Sequence, residues 1–188
     1  NKISVELLER SDPAYLDVLL RELAASWAQK ADVYAASIAL GNGIGLSSGS
    51  TLYKAIADGI ADSYGVVRKT PNRFLADTGN FGELLQEVDS TGRPIFAAAA
   101  PQNAAGLMSQ GSTAGTVAGL TVVVDPNFDT GTGIKGVVYP SDAATFYKSA
   151  AFQIRSNVVS TAEVEVGIYG YVACARKYAT AFRNISVA

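Results

Sequence analysis

SDPAYLDVLLRELAASWAQKA, residues 11–31, carries the clearest helical signal in the chain, and the other segments are read by how they pack against it. Leu16, Leu19, Leu20, Leu23, Trp27 and Ala31 recur at spacings of three and four, which gathers them on one face of a helix. Pro13 suits the first helical turn, and Ser11 or Asp12 beside it can accept a hydrogen bond from the N–H groups left free there. At about 1.5 Å per residue such a helix is roughly 30 Å long, the width of a small domain. Its apolar stripe needs a second layer to cover it.

Composition excludes several kinds of function. The 188 residues fall between one-domain and two-domain lengths, enough to bury roughly 70% of the unfolded surface. Apolar residues make up 48% and charged residues 17%, so the charged share is low and surface covered by another molecule is expected. A net charge of -2 gives no whole-chain attraction to nucleic acid or to an anionic membrane. Histidine is absent, which removes the usual general base near neutral pH and the commonest metal ligand. Cys174, the single cysteine, rules out an internal disulfide framework and reads as a small apolar residue. No apolar run approaches the ~18 residues of a membrane-spanning helix. The chain opens on Asn1, without methionine, and Ile3, Val5 and Leu7 alternate as in a strand, so a segment upstream is expected.

After the opening helix, Val33–Leu40 is small and apolar, and GNGIGLSSGS at 41–50 reads as a flexible loop. A second helix is expected over Thr51–Tyr64, ended by Gly65, with Gly59 inside it calling for close packing against a neighbour. A short strand at Phe74–Ala76 precedes a third helix over Asn80–Val88, capped by Asp77 or Thr78. Arg93–Phe96 reads as a strand, Ala97–Gly119 as a long loop, and LTVVV at 120–124 as a buried strand stopped by Asp125 and Pro126. Gly136–Tyr139 is another strand. Phe152, Ile154, Ser156 and Val158 alternate with polar residues, as do Val164, Val166 and Ile168 after a turn at 160–162, which makes a long hairpin with a half-exposed first strand. A last strand covers Ala181–Val187.

No group of side chains assembles a reaction centre. Glu83, Glu87 and Asp89 lie on or near one short helix, without a calcium loop or a histidine beside them, and read as a solvated face. Tyr53 with Lys54, and Tyr147 with Lys148, are sequence neighbours and diverge. Gly43 and Gly45 begin a G-x-G-x-x-G, but Ser48 takes the third position and the loop follows a helix where a phosphate cradle follows a strand. Ser47, Ser48 and Ser50 read as loop solvation. Arg68 with Lys69, and Arg176 with Lys177, are small basic spots, read as solvated or as pairing between subunits. Asn184, Ile185 and Ser186 match a glycosylation triplet by pattern alone.

Four stretches taken in order carry more than any one residue. They are VELLERSDPAYLDVLLRELAASWAQKADVY, RFLADTGNFGELLQEVDSTGRPIF, GLTVVVDPNF, and AFQIRSNVVSTAEVEVGIYGYVACARKYATAFRNISV. Together they resemble the major capsid proteins of tailed bacteriophages, the Hong Kong 97-type coat-protein fold that encapsulins share. The second stretch is the most specific, with a strand, a short helix, then a D-x-x-G-R-P-like turn and a strand.

The resemblance implies an α+β fold with a discontinuous peripheral (P) domain, 1–48 plus 136–175, and an axial (A) domain, 49–135 plus 176–188. Residues 11–31 then correspond to the spine helix of the P domain, 152–168 to its β-hairpin and P-loop, and the 97–119 loop to contacts at the capsomer axis. It implies a structural subunit of a bacteriophage or prophage icosahedral capsid rather than an enzyme, with no catalytic, cofactor-binding or metal residues. The implied partners are other copies of the chain in pentamers and hexamers, scaffolding or decoration proteins, and packaged DNA held without sequence preference, with no membrane. The implied location is the virion capsid, assembled in the bacterial host cytoplasm. An encapsulin-type shell is the nearest alternative, and a small-molecule binding domain the more distant one. Family members carry an N-terminal arm and an extended E-loop before the spine helix, and this sequence has neither. Some weld their shells through a lysine of that loop and an asparagine near the P-loop; Asn157 lies near the hairpin tip, but without the loop that chemistry does not carry over.

Overall fold

The computed structural model of the chain describes residues 2–10, 14–41, 45–88, 92–93, 95–98, 115–128, 131, 133–158 and 160–187. In order, the elements are β1 (Lys2–Ser4), α1 (Val5–Arg10), α2 (Ala14–Leu40), β2 (Gly45–Gly49), α3 (Leu52–Val67), β3 (Arg73–Ala76) and α4 (Thr78–Gln86). There follow β4 (Ala97–Ala98), β5 (Gly115–Val117), β6 (Leu120–Val124), β7 (Gly136–Tyr139), β8 (Ala144–Lys148), β9 (Phe152–Val158), β10 (Glu163–Tyr169), β11 (Val172–Arg176), a 3-10 turn (Ala179–Ala181) and β12 (Arg183–Val187). They form two compact units, residues 1–35 with 146–174 and residues 36–145 with 175–188. α2, β8 and β11 contribute residues to both, and β8 pairs with β11 as a ribbon.

The larger unit is built on a mixed seven-stranded sheet ordered β2-β12-β7-β3-β6-β5-β4. Its central strands β3 and β7 are covered on both faces, which explains why FLA and VVY are unbroken apolar runs. On one face Phe74, Ala76, Val122, Val138 and Ile185 meet Leu52 and Ile56 of α3 and Leu84 of α4. On the other, Leu75, Val137 and Phe182 meet Phe128 and the end of α2 at Ala36 and Ala39. The close packing expected of Gly59 is present: a β-carbon there would stand 2.5 Å from Ile185 Cδ1. Gly136 is held more tightly, since a β-carbon would lie 2.6 Å from both the Leu75 carbonyl oxygen and the Phe74 ring.

In the smaller unit β1, β10 and β9 form an antiparallel sheet with β10 in the middle. Ile3, Val164 and Val166 are buried, and Leu16, Leu19, Leu20 and Leu23 of α2 pack against them. That is the stripe legible in the sequence. Further along α2, the Trp27 ring occupies the space a side chain at Gly170 would need, and Lys148 Nζ sits 4.4 Å from the ring centroid. Such a cation–π contact contributes roughly 0.5–1 kcal/mol at an accessible site.

Several expectations are corrected. α2 continues past Ala31 to Leu40, because Ala36, Ala39 and Leu40 supply apolar contacts for a further two turns. The expected loop at 41–50 contains β2, which pairs in parallel with β12. α3 runs through Gly65 and ends at Arg68, whose N–H donates to the Tyr64 carbonyl from a left-handed φ of 57°. Of the strand expected at 93–96, the described residues Ile95 and Phe96 form a bend instead, and buried Phe96 meets the Phe81 ring edge-on at 5.5 Å between centroids. The cap at Asp77 is as expected, its side chain accepting from a backbone N–H three residues on, and Thr51 caps α3 in the same way. The proposed cap at 11–13 and most of the 97–119 loop lie outside the described residues.

Two substitutions test this packing. Leu23→Asp should cost about 2–4 kcal/mol by placing a charge against the Val164 and Val166 face, seen as lost amide protection in β10 while β7 stays protected. Gly136→Ala should destabilise by about 1–3 kcal/mol, because backbone on the neighbouring strand cannot yield, read as a lowered denaturant midpoint.

Candidate assembly surface

The side chains that could have carried chemistry are occupied in holding the fold. Glu83 pairs with Lys135 at 2.8 Å. Both carboxylate oxygens of Glu87 accept from the Tyr53 N–H at 3.1 Å, which ties the end of α4 to the first turn of α3. Asp89 and Gly43 lie outside the described residues. Gly45 opens β2, and the guanidinium of Arg183 lies over it, so its lack of a side chain serves packing rather than a phosphate. Ser47 corrects its reading as loop solvation: it is buried, and its hydroxyl donates to Asp62 at 2.6 Å. Lys54 reaches the Ser50 hydroxyl at 3.3 Å. Asn184 of the glycosylation triplet is buried between β2 and β7. Among the described residues no three His, Cys, Asp or Glu side chains could share a metal ion.

The hairpin β9–β10 offers a surface whose chemistry is unspent. Residues directly opposed in an antiparallel pair point to the same side of the sheet. Val164 opposes Asn157, Val166 opposes Arg155 and Ile168 opposes Gln153. The apolar residues of β10 face α2, and so their partners on β9 are polar. The apolar residues of β9 stand on the other side: Phe152 opposite Tyr169, Ile154 opposite Gly167, Val158 opposite Glu163. Phe152 is 43% exposed and Ile154 47%, which corrects the expectation of a half-exposed strand, since β9 is exposed on both faces along almost its whole length.

The Phe152 ring lies 6.1 Å from Tyr169 and 6.2 Å from Tyr171, centroid to centroid. Tyr171 is 75% exposed. The aromatic surface continues into a cleft of about 500 Å³ lined by Phe146, Tyr147, Lys148, Ser149, Tyr171, Val172 and Ala173. β9 is also an edge strand, so its outward N–H and C=O groups are available for pairing. The sequence held a signal for this. The apolar positions of both strands are even-numbered, whereas the turn pairs Val158 with Glu163 and hence even with odd, so one set had to face outward.

In the larger unit Lys69 and Lys177 act on Asp142. The Lys69 ammonium hydrogen-bonds its carboxylate, which holds Asp142 below the usual carboxylate range, helped by the charge of Lys177. The same bond holds Lys69 above its ordinary value, and its Nζ lies 4.6 Å from the Tyr178 ring centroid. The pair favours the folded state above the unfolded carboxylate pKa of about 3.9 and below the unfolded lysine pKa of about 10.4. The contribution is lost as pH falls through the lowered Asp142 value or rises through the raised Lys69 value. Burial pushes the Tyr139 phenol up, with the Arg73 charge opposing.

Comparison with known proteins gives this arrangement its context. The family model described as phage capsid protein matches residues 2–184. No curated protein sequence matches the chain. Among solved structures, one of Gordonia phage Cozz has a TM-score of 0.70 at 14% identity, covering 100% of this chain and 68% of that one. The capsid of an empty GTA particle has a TM-score of 0.71 at 14% identity, covering 100% of this chain and 70% of that one. One of Mycobacterium phage Che8 has a TM-score of 0.69 at 13% identity, covering 98% and 67%. The likeness in fold is to Hong Kong 97-type coat proteins, with α2 as spine helix, and none of the side chains above is needed for catalysis in a protein whose work is self-association. The chain belongs to the phage capsid protein family and is a structural subunit that assembles with its own kind into a viral shell.

Proposed function

We propose that the chain is the major capsid protein of a tailed bacteriophage or prophage, the repeated subunit of an icosahedral shell that encloses the genome. The observation that carries this reading is the outward apolar face of β9 beside an unpaired strand edge. A lone subunit would expose Phe152, Ile154, Tyr169 and Tyr171 together with that edge, a combination that invites association. In a shell, neighbouring copies cover it.

On this reading residues 1–48 with 136–175 form the P domain, and residues 49–135 with 176–188 the A domain, whose 97–119 segment meets its neighbours at the axis of pentamers and hexamers. The two compact units support a discontinuous division and favour a narrower P domain, 1–35 with 146–174. Assembly takes place in the bacterial cytoplasm, with scaffolding or decoration proteins as accessory partners.

Sedimentation and electron microscopy of the full-length product should show closed particles. Phe152→Ser combined with Ile154→Ser should leave the thermal midpoint within about 2 °C, since both side chains are exposed, and should abolish particles. Normal particle yield from that variant would remove the hairpin face from assembly. A wild-type product that stayed monomeric at every concentration would overturn the shell reading.

A further inference from the structure

α4, the start of α3 and the end of β12 meet at a pocket of about 350 Å³, lined by Leu52, Glu83, Gln86, Glu87, Lys135 and Val187. All of these residues belong to the larger unit. In the sequence Glu83 and Glu87 read as a solvated face, but the fold sets them beside the apolar side chains of Leu52 and Val187. The charges there do not cancel. Glu83 and Lys135 neutralise each other at 2.8 Å. Among the described residues Glu87 has no ion-pair partner. Its carboxylate accepts from the Tyr53 N–H in the first turn of α3, which holds it at the positive end of a helix dipole without removing its charge. The Glu87 backbone is fixed as well, its carbonyl accepting from the Ile95 N–H at 3.1 Å and its N–H donating to the Leu84 carbonyl at 3.4 Å. Gln86 turns its amide nitrogen to the Gly82 carbonyl at 3.2 Å, which leaves its side-chain carbonyl oxygen as an acceptor.

The pocket wall therefore offers acceptor oxygens and one unbalanced negative charge next to two apolar side chains, and its ammonium group is already bonded. An anion would meet Glu87 and find Lys135 engaged. A bare divalent cation would find two carboxylates, one of them paired, against the six or so oxygens such an ion takes. A neutral apolar molecule would take water from Glu87 and Gln86 without replacing its hydrogen bonds. A cation on an alkyl stem satisfies both halves. Its head donates to the Glu87 carboxylate and the Gln86 carbonyl, and its methylenes cover Leu52 and Val187.

We propose that this pocket, built around Glu87, Leu52 and Val187, binds an alkylammonium group. The group is carried either by a lysine side chain of a second copy of the chain or by a free aliphatic amine, and only the first source rests on the shell reading. Ligand-observed saturation-transfer NMR reports weak binding to dispersed chains and to particles alike. n-Butylammonium should bind the dispersed chain ~3–10-fold more tightly than methylammonium, because its longer stem reaches the apolar pair, and butyrate should give no signal. Glu87→Gln keeps a carbonyl acceptor for the Tyr53 N–H but removes the charge. It should weaken butylammonium binding ~3–10-fold and cost no more than about 4 °C in thermal midpoint. Val187→Ser should narrow the preference for butyl over methyl.

Assembled particles distinguish the two sources. With a lysine of a second copy in the pocket, the butylammonium signal is lost in particles, and zero-length carbodiimide coupling joins Glu87 to a lysine of another subunit. With a free amine, the signal persists in particles and no such link forms. Equal butylammonium binding by wild type and Glu87→Gln would overturn the proposal. So would a silent ligand at both the dispersed chain and the particles with no link at Glu87. Either result leaves the shell reading standing, whereas amine binding by a chain that forms no particles under any condition would sink the shell reading alone.

Discussion

In an antiparallel pair, opposed residues share a side, and a sheet with one covered face can hide only one of two competing apolar sets. In the smaller unit α2 covers the side chosen by Val164 and Val166, and the turn after Val158 fixes the register at an odd offset. The apolar residues of β9 are then forced outward by geometry. A slip of β9 by one residue would turn them toward the helix side and send Gln153, Arg155 and Asn157 outward. The stability of this unit and the stickiness of its surface therefore come from the same pairing.

The larger unit solves the opposite problem. Its central strands β3 and β7 are covered on both sides, so their side chains alternate between two cores. Buried Ser63 enters those cores with a partner, donating to the Ala181 carbonyl at 2.8 Å. The charged residues are left to the periphery, where the Lys69–Asp142 and Glu83–Lys135 pairs tie neighbouring segments together. Exposed pairs of this kind contribute little to stability. What they provide is position.

Much of this was legible in the sequence because local rules and the fold agree there. The leucine stripe of α2, the cap at Asp77 and the LTVVV strand each follow from spacing or from a hydrogen bond over three residues. The misreadings arise where distant contacts outweigh local preference. Gly65 is a good terminator, yet α3 passes through it for two more residues before Arg68 ends it. GLSSG looks like a linker until β12, from the far end of the chain, pairs with it and buries Ser47. The hairpin strands were recognised, but which of their faces lay inside depended on register.

β1 pairs with β10 through Lys2–Glu165, Ile3–Val164 and Ser4–Glu163, so the first residues of the chain join those near its end. Closing so long a loop is slow compared with forming local helices, and on a ribosome it waits until residue 169 has emerged. The three-stranded sheet that carries the outward face of β9 is therefore finished only when two strands far apart in sequence have met. Synthesis itself acts as a timer: a nascent chain without β10 has neither the hairpin nor the partner that β1 needs, so the means of association arrives together with the sheet that supports it.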